Sequence, residues 1–536
     1  MLKRFCLVSL RSVYFYIVDK VKAGEVLVID LFAGPGGLGE GISSCVHGNG
    51  NKPFRIGISV EKEPSAHKTL TTRAFYRRVK EVEGGIADYY EYVRENITRI
   101  ELFERYPKQA NEAISETLDG PKALGEDNKL IHERIRELLA EHKGPKVVIG
   151  GPPCQAYSLA GRSRNAGIKD YKAEKDHRSF LYMEYLKVLS IAQPDVFIME
   201  NVRGILSAKL NGKIMFPQIL KDLRNPGKVT KIKSTPKYKI YSLVVKADNS
   251  NNPQYKDSSD FLIRSEQYGV PQARHRVILI GVREDLKAIP NTLTKADTTI
   301  NVKSVLSDLP PLRSGFSKRK DEVKAWTKVI SKHARQLKKM LRQHYTYPSE
   351  AIDNLDLEPI KGLTRKSTQH NNIAEAKIPA PLKDWLIDES LGCVLNHDTR
   401  GHMEDDLLRY AFCAAHSMLN NGVSPKARNF PKALAPAHKN WDSGTHADRF
   451  RVQSANKFST TVTSHISKDG HYFVHYDPKQ CRSLTVREAA RLQTFPDNYL
   501  FEGNRTQQYV QVGNAVPPFL AQQIGRVVLD LLNQNG

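Results

Sequence analysis

The segment Glu25–Gly41, EVLVIDLFAGPGGLGEG, decides the expected fold. It begins with an apolar run that does not alternate with polar residues, which is typical of a strand buried on both faces of a sheet. Glycines follow at positions 34, 36 and 39, and this spacing is typical of a strand–turn–helix that binds a nucleotide. Glycine lets the backbone approach a ligand closely, and the start of a helix adds positive potential. The spacing alone does not distinguish NAD, FAD and S-adenosylmethionine sites.

A second apolar run, Phe54–Val60, predicts a second strand that ends at Glu61. A carboxylate in this place can accept hydrogen bonds from both hydroxyl groups of a ribose. The alternative is an ordinary acidic residue at the start of a helix, just ahead of Pro64. With the glycine turn, this strand favours an open α/β sheet that binds its ligand at the carboxyl ends of the strands.

A reactive cysteine is predicted in the stretch 150–162, GGPPCQAYSLAGR, which follows the apolar run Val147–Ile149. Neither proline can donate to a β-ladder, so a strand is expected to end there and a loop to begin. Cys154 then lies just past a strand end, where open α/β sheets place their chemistry. The surrounding loop is polar, which favours a nucleophile over the alternative of a small buried hydrophobe.

A carboxylate and two arginines follow later buried runs. Glu200 ends the run Asp195–Met199, and adjacent parallel strands would bring it to the same sheet edge as the thiol. Partial desolvation there would let the carboxyl group hold or pass a proton near neutral pH. Arg274 and Arg276 would point to one face if strand-like, which suits a phosphate or a base edge. The alternative for them is a pair of surface arginines.

The net charge of the chain limits the kinds of partner that it is expected to bind. The formal net charge of +23 would attract nucleic acid or an anionic membrane surface. The sequence has no apolar run of about 20 residues that could span a bilayer, so a polyanion is the favoured partner and no membrane is expected. The six cysteines lie far apart without a CxxC pair, so no metal site is expected and a reducing cytoplasm is favoured.

Pattern changes along the 536 residues predict two domains. Strand and helix patterns alternate up to about residue 285, apart from a charged and mostly helical stretch at 62–145. The alternation is lost in 286–450, which contains the basic stretch Lys318–His344 and resembles an inserted module. Beyond it, residues 510–528 predict a helix that returns to the main sheet.

Three local patterns give further expectations. The Lys-, Asn- and Ser-rich stretch 221–260 predicts surface hairpins, and the alternating stretch 450–474 predicts strands around a turn at 468–470. Thr485, followed three residues later by Glu488, predicts a helix start with a capping box.

Six stretches, in chain order, resemble the motifs of DNA cytosine-5 methyltransferases of the bacterial or phage Dcm-like type. DLFAGPGG resembles the family's cofactor loop, GGPPCQAYS its nucleophile loop, MENVRG its acid motif and QYGVPQARHR its arginine motif. RLQTFPDNY and VGNAVPP resemble its two C-terminal motifs. The resemblance covers the chain except 1–23, 62–145 and most of 286–450.

The resemblance implies a doubly wound, mostly parallel α/β sheet of the Rossmann-like S-adenosylmethionine-dependent type, with a smaller target-recognition domain. The implied divisions are an N-terminal extension, a catalytic and cofactor-binding domain with an insert, a target-recognition domain, a linking motif and a returning C-terminal helix. Their bounds are 1–23, 24–285 with insert 62–145, 286–480, 481–509 and 510–536.

The resemblance also implies the chemistry. Cys154 would add to a cytosine that is flipped out of duplex DNA, Glu200 would assist at ring nitrogen 3, and S-adenosylmethionine would become S-adenosylhomocysteine. Arg276, favoured over Arg274, would hold the base or orient Glu200. Cofactor contacts are expected from Asp30, Phe32, Ala33, Gly34, Gly36, Gly37, Glu61, Pro152, Asn514, Ala515 and Val516. DNA contacts are expected from Gln155, Ser158, Arg162 and Ser163.

Two departures qualify the implied cofactor site. The insert 62–145 falls where the family presents its adenine-ring contact, so that contact stays unassigned. Lys62 stands where relatives often have an apolar residue against the adenine.

The expected partners and the rival functions follow from the same resemblance. The chain is expected to act as a monomer on duplex DNA in a bacterial cytoplasm, near the nucleoid, beside a cognate restriction endonuclease that acts separately. One rival is an RNA (tRNA) cytosine-5 methyltransferase on the same fold. The others are a Rossmann oxidoreductase, which leaves Cys154 and Glu200 unexplained, and a non-catalytic DNA-binding protein.

Overall fold

The computed structural model describes residues 25–48, 50–153, 177–210, 212–345, 347–369, 377–436, 441 and 449–534. The predicted N-terminal extension, 1–23, lies outside these residues. The main sheet consists of strands β1 (Val26–Leu31), β2 (Phe54–Val60), β3 (Lys146–Gly150), β4 (Val196–Val202), β5 (Tyr238–Ser242), β6 (Leu262–Arg264) and β7 (His275–Arg283).

The strand order is β2-β1-β3-β4-β7-β5, with β6 also paired to β7. Strands β1 to β4 are parallel, while β7 runs antiparallel to β4, β5 and β6. In register, Leu31 pairs with Gly150, and Gly150 pairs with Met199. The carboxyl ends of the three central parallel strands therefore meet at one edge of the sheet.

Helices connect the strands and extend the chain beyond them. They are α1 (Gly37–Ser43), α2 (Pro64–Val79), α3 (Gly85–Val93), α4 (Arg99–Arg105), α5 (Pro107–Glu116), α6 (Asn128–Glu141), α7 (His177–Ala192), α8 (Phe216–Arg224), α9 (Pro226–Thr230), α10 (Val302–Leu306), α11 (Val323–His344), α12 (Ser349–Asp353), α13 (Ala380–Leu386), α14 (Glu404–Leu419), α15 (Val486–Leu492), α16 (Arg505–Asn514) and α17 (Pro518–Asn533). Among the described residues, none of these helices combines the length and apolar composition needed to cross a bilayer.

Apolar side chains cover both faces of the sheet, as a doubly wound fold requires. One face packs against α1 and α17, through residues such as Ile42 and Leu520. The other face packs against α6 and α7, through residues such as Ile135 and Tyr185. The predicted return of the C-terminal helix to the main sheet is confirmed, because α17 packs along α1.

The insert 62–145 is helical, as predicted, and its helices α2 to α6 fill the connection between β2 and β3. The expectation of surface hairpins in 221–260 is wrong: this stretch contains the end of α8, helix α9 and the buried sheet strand β5. Tyr238 and Ile240 enter the core from β5, so local polarity concealed a strand that pairs over a long distance.

The described part of residues 286–480 contains no large sheet. Helices α11 and α14 enclose an apolar cluster that includes Trp326, Leu337 and Phe412. The strands predicted for 450–474 are not formed, since two 3₁₀ turns and isolated bridges, such as Val452 to Val474, occupy this stretch.

Helix α15 starts at Thr485, whose hydroxyl oxygen accepts from the N–H of Glu488 at 3.2 Å. The side chain of Glu488 in turn accepts from the N–H of Thr485 at 2.7 Å. The predicted capping box is therefore confirmed.

Candidate active site

The glycine turn after β1 packs closely against α2 and Tyr499. Gly34 and Gly36 have φ values of 59° and 96°, which are left-handed values that favour glycine. A Cβ atom on Gly36 would lie 2.9 Å from Leu70 Cδ1 and 3.1 Å from the hydroxyl oxygen of Tyr499. That hydroxyl donates to the carbonyl oxygen of Pro35, so the turn is fixed from outside. Phe32, at φ 55°, begins the turn and Ala33 continues it.

Glu61 is tied to this turn. Its Oε2 atom accepts from the N–H of Gly34 at 2.8 Å, and its Oε1 atom accepts from the N–H of Glu63 at 2.7 Å. Burial raises the pKa of the Glu61 carboxyl, although these backbone hydrogen bonds oppose the shift. The end of β2 and the glycine turn therefore form one corner, as the sequence pattern suggested.

Asp30 lies beneath the turn. Its side chain is buried against α1, where a Cβ atom on Gly39 would come within 2.7 Å of Oδ2. Burial and the neighbouring carboxylate of Glu116 raise the pKa of Asp30 well above its usual range. Among the described atoms, Oδ2 has no hydrogen-bond partner. The side chain thus supports the turn from the inner side of the sheet.

The C-terminal motif packs on the same corner. A Cβ atom on Gly37 would lie 2.3 Å from the carbonyl oxygen of Val516 and 3.3 Å from Cβ of Ala515. Asn514, the last residue of α16, is exposed beside them. Residues about 480 positions apart in the chain therefore meet at the start of α1.

The insert also reaches this corner, which sequence reasoning missed. The N–H of Lys122 donates to the carbonyl oxygen of Glu61 at 2.9 Å. Leu118 and Asp119 just before it have positive φ values of 65° and 48°, so the chain turns sharply after α5. The run Leu118–Gly120 carries no recognisable pattern apart from this turn, and the sequence offered no signal for its position.

The carboxylate of Glu200 lies at the sheet edge where β3 and its pairing with β4 end, and β4 continues past it to Val202. Its Oε2 atom would be 2.9 Å from a Cβ atom on Gly151, so the loop after β3 passes directly beside it. The side-chain amide of Asn201 donates to the carbonyl oxygen of Pro152 at 2.9 Å and fixes this loop. Pro152 is buried. Cys154, Gln155, Ser158, Arg162 and Ser163, which follow in the same loop, lie outside the described residues.

Arg276 faces Glu200 from the antiparallel strand. Its Nε atom is 2.7 Å from Oε1 of Glu200, and both side chains are 13–14% exposed. The β4–β7 register makes this contact, because it pairs Glu200 with Ile278 and Val202 with Arg276. A carboxyl group beside a guanidinium, next to the loop that carries the thiol, can accept a hydrogen bond from a ring bound there when it is ionised and donate one when it is protonated.

Arg274 does not share this arrangement. Strand β7 begins at His275, so the expectation that both arginines point to one strand face is not met. Arg274 is buried and donates to the carbonyl oxygens of Val462 at 2.7 Å and Gly513 at 3.1 Å. Burial lowers the pKa of this guanidinium well below its usual range. The structure thus places Arg276 beside Glu200, whereas Arg274 links the segments around Val462 and Gly513.

Gln272, like Arg274, links separate segments of the chain. Sequence reasoning did not single out this residue. Its side-chain amide donates to the carbonyl oxygen of Leu492 and to Oε1 of Gln493, both at 3.1 Å. Its own oxygen accepts from the N–H of Val462 at 2.7 Å. A polar residue two positions before Arg274 in the arginine motif was the available signal.

Comparisons with known proteins agree with this arrangement. A family model described as C-5 cytosine-specific DNA methylase matches residues 122–530. The type II methyltransferase M.Bpa9945I of Bacillus paralicheniformis is 34% identical over 529 residues, which cover 95% of this chain and 99% of that protein. The DNA (cytosine-5-)-methyltransferase M.ApeKI of Aeropyrum pernix is 25% identical, over 72% of this chain and 81% of that protein. With the glycine turn, the carboxylate pair and the C-terminal motif assembled on one sheet edge, the chain belongs to the C-5 cytosine-specific DNA methylases and is a DNA cytosine-5 methyltransferase.

Proposed function

We propose that the chain methylates carbon 5 of a cytosine that is flipped out of a specific duplex DNA sequence, through a covalent bond between Cys154 and carbon 6. The observation that carries the proposal is the contact of Glu200 with Arg276, beside the backbone of Gly151. Cys154 lies three residues after Gly151 in the same loop.

The proposed cofactor is S-adenosylmethionine, which supplies the methyl group when bound and leaves as S-adenosylhomocysteine. The corner of Gly34, Gly36 and Glu61 fits a nucleoside, because a carboxylate can accept from ribose hydroxyls where the turn lets a ligand approach the backbone. Asn514, Ala515 and Val516 would border the same cofactor, with Pro152 nearer the reacting carbon. Asp30, Phe32, Ala33 and Gly37 would shape the turn.

The chain's own residues would act on the base in sequence. The thiolate of Cys154 adds to carbon 6, which makes carbon 5 nucleophilic. Glu200 donates a hydrogen bond or proton at ring nitrogen 3, and Arg276 orients that carboxyl group. After methylation, a base or a water removes the proton from carbon 5, and elimination frees Cys154. Arg274 would support the site through the carbonyl oxygens that it binds rather than contact the base.

The flipped base needs a closed pocket and a held duplex. Gln155, Ser158, Arg162 and Ser163 follow the thiol in a polar loop suited to contact the base and the gap it leaves. Residues 286–480 would form the target-recognition domain, joined through 481–509 to a catalytic domain of 24–285 and the helix 510–536. This division matches the separate apolar cluster around Trp326 and Leu337.

The biological setting is proposed from the relatives. M.Bpa9945I and other similar proteins are type II methyltransferases. We infer that this chain protects DNA against a restriction endonuclease acting separately, and that it acts as a monomer in a bacterial cytoplasm, near the nucleoid.

Bisulfite sequencing of DNA from cells that express the protein tests the reaction and identifies the target. We expect methylation at one short sequence, and none in cells that express Cys154→Ser. Methylation of tRNA by the purified protein, with duplex DNA left unmodified, would contradict the proposal in favour of the RNA enzyme.

A further inference from the structure

Helix α11, Val323–His344, carries the densest positive charge that the sequence contains. The helix holds seven Lys and Arg residues and no Asp or Glu. Over Lys318–His344, ten basic and two acidic residues give a net charge of +8, about a third of the chain's +23. The helix has two faces, one apolar and one basic, and each has a different environment.

One face of α11 is buried. Trp326, Ile330, Leu337 and Leu341 enter the apolar cluster that α11 shares with α14. The indole N–H of Trp326 also donates to the hydroxyl of Ser314 at 3.0 Å. The apolar side of the helix is therefore occupied by the protein itself and is not available to insert into a lipid surface.

The other face is a continuous row of exposed cations. Its six members recur every three or four residues, which places them on one side of the helix. They are Lys324, Lys328, Lys332, Arg335, Lys339 and Arg342. At 1.5 Å of rise per residue the row is about 27 Å long, with about one cation in each turn of 5.4 Å.

Most of this row lacks counter-charges within the protein. In the part of the chain that the structure describes, Arg342 pairs with Asp353, whereas the four lysines and Arg335 make no ion pair. Like charges at these spacings repel and weaken a helix. The row thus opposes the folding of its own helix, and an external polyanion would relieve the repulsion.

We propose that this row, the cation row of α11, binds the phosphate backbone of duplex DNA and takes no part in reading its sequence. The proposal deepens and rests on the proposed function. A duplex carries one phosphate per 3.4 Å along each strand, so a row of about 27 Å runs past about eight base pairs. Lysine ammonium groups are compact point charges that neutralise phosphates, whereas base edges are read by directed, bidentate contacts.

The test compares two variants that remove four charges each. The first replaces Lys324, Lys328, Lys332 and Lys339 by Gln; lysine and glutamine have similar helix propensities, so the helix should be preserved, as circular dichroism can show. The matched control replaces the exposed Lys108, Lys129, Lys143 and Lys221, which lie outside 286–450.

Affinity for a labelled duplex is measured between 50 and 200 mM salt by fluorescence anisotropy. Each lost phosphate contact should remove a factor of about 3.5 from the change in Kd over this range, or about 150-fold for four contacts. The control should retain the wild-type salt dependence. Bisulfite sequencing should find the wild-type target sequence, at lower efficiency, in the row variant.

Three outcomes would overturn the assignment. The first is a row variant with the same salt dependence as the control, and the second is a changed methylation sequence, which would make α11 a base reader. The third is a row variant that loses affinity for duplex RNA of equal length but keeps its affinity for duplex DNA. If the wild-type protein fails to methylate while the row variant loses DNA affinity, the proposed function falls and the cation row stands.

Discussion

The guanidinium of Arg276 and the carboxylate of Glu200 meet at 2.7 Å although they lie on antiparallel strands. The pair lies where β3 ends and where the loop to Cys154 begins. Mutation of Glu200 therefore tests the carboxyl group itself, and mutation of Arg276 tests the orientation of that group.

We expect Glu200→Gln to lower kcat by about 10²- to 10³-fold while the Kd for duplex DNA changes little, because general acid catalysis matters mainly as the ring gains charge. Arg276→Lys should lose part of this rate, since an ammonium group cannot reproduce the planar contact of the guanidinium. Single-turnover rates and anisotropy separate the two effects. A Glu200→Gln variant that reacts at the wild-type rate would remove Glu200 from the mechanism.

A substrate with fluorine at carbon 5 should trap the protein on DNA through Cys154. The fluorine cannot leave as the proton does, so elimination is blocked. Burial raises the pKa of the thiols of Cys393, Cys413 and Cys481, which makes them poor nucleophiles.

Cys154→Ser should abolish both trapping and turnover and leave S-adenosylmethionine binding near normal. Mass spectrometry of the digested adduct identifies the attached residue. A DNA adduct on Cys393, Cys413 or Cys481 would show that the mechanism is wrong.

Glu61→Ala should weaken S-adenosylmethionine binding by about tenfold to a hundredfold, because hydrogen bonds to a charged acceptor contribute about 1.5–3 kcal/mol. Isothermal titration calorimetry measures the Kd directly. Glu91→Gln, a change at an exposed residue of α3, is the control and should bind as the wild type does. Binding of NADH in place of S-adenosylmethionine would refute the assigned cofactor.

The buried pair of Glu40 and Arg73 should make stability depend on pH. The carboxylate and guanidinium are 2.6 Å apart and at most 8% exposed. The pKa of Glu40 is lowered to about 2: Arg73 stabilises its charged form, and this outweighs the opposing effect of burial. Because the folded pKa lies below the ordinary value of 4.5, the stabilisation is complete above about pH 4.5 and is lost as the pH falls towards 2.

Glu40→Gln should lower the free energy of unfolding by about 3 kcal/mol at pH 7. The difference from the wild type should shrink as the pH falls from 4.5 towards 2. Urea unfolding at both ends of this range measures it. Glu81→Gln breaks the more exposed pair with Lys52 and should cost less than about 1 kcal/mol. A constant difference across the pH range would show that Glu40 is not charged in the folded protein.

Exchange of residues 286–450 with the equivalent segment of a relative of different specificity should move the methylated sequence with the segment. Recognition is expected there because none of the described residues in this segment belongs to a strand of the main sheet or to the corner of Gly34, Gly36 and Glu61, although Ala288 and Leu293 pack into the core of the sheet. Nanopore or bisulfite sequencing reads the outcome. A folded, active hybrid that keeps its original target would place recognition elsewhere.

Local chemistry made much of the site predictable. Glu61 follows β2 directly, as the apolar run and the polar residue after it predicted, and the capping box of Thr485 involves neighbours in sequence. Strand β4, by contrast, continues past Glu200 to Val202 through its pairing with β7. The contact of Arg276 with Glu200 depends on the antiparallel direction of β7, which no local pattern states. Arg274 was misplaced because β7 begins only at His275, a boundary that no local pattern states.

The errors elsewhere have a common physical cause. The alternation in 450–474 predicted paired strands, but within this stretch Val452 and Val474 form only an isolated bridge, and other backbone groups find partners in separate segments. Ser459, for example, bridges to Gln272. The polar stretch 221–260 contains β5, which sequence reasoning did not predict. The burial of this strand depends on its pairing with β7 and not on its neighbours in sequence.

The two bonds of Arg274, to Val462 and Gly513, bear on how recognition can be rebuilt. They attach the chain around 462, which lies within the proposed target-recognition domain 286–480, to the part that performs the chemistry. An engineer who grafts a foreign segment should therefore place the second junction before Ser459. With a junction beyond Val462, a carbonyl oxygen of the grafted segment would have to accept from the guanidinium of the host's Arg274, beside which it did not evolve.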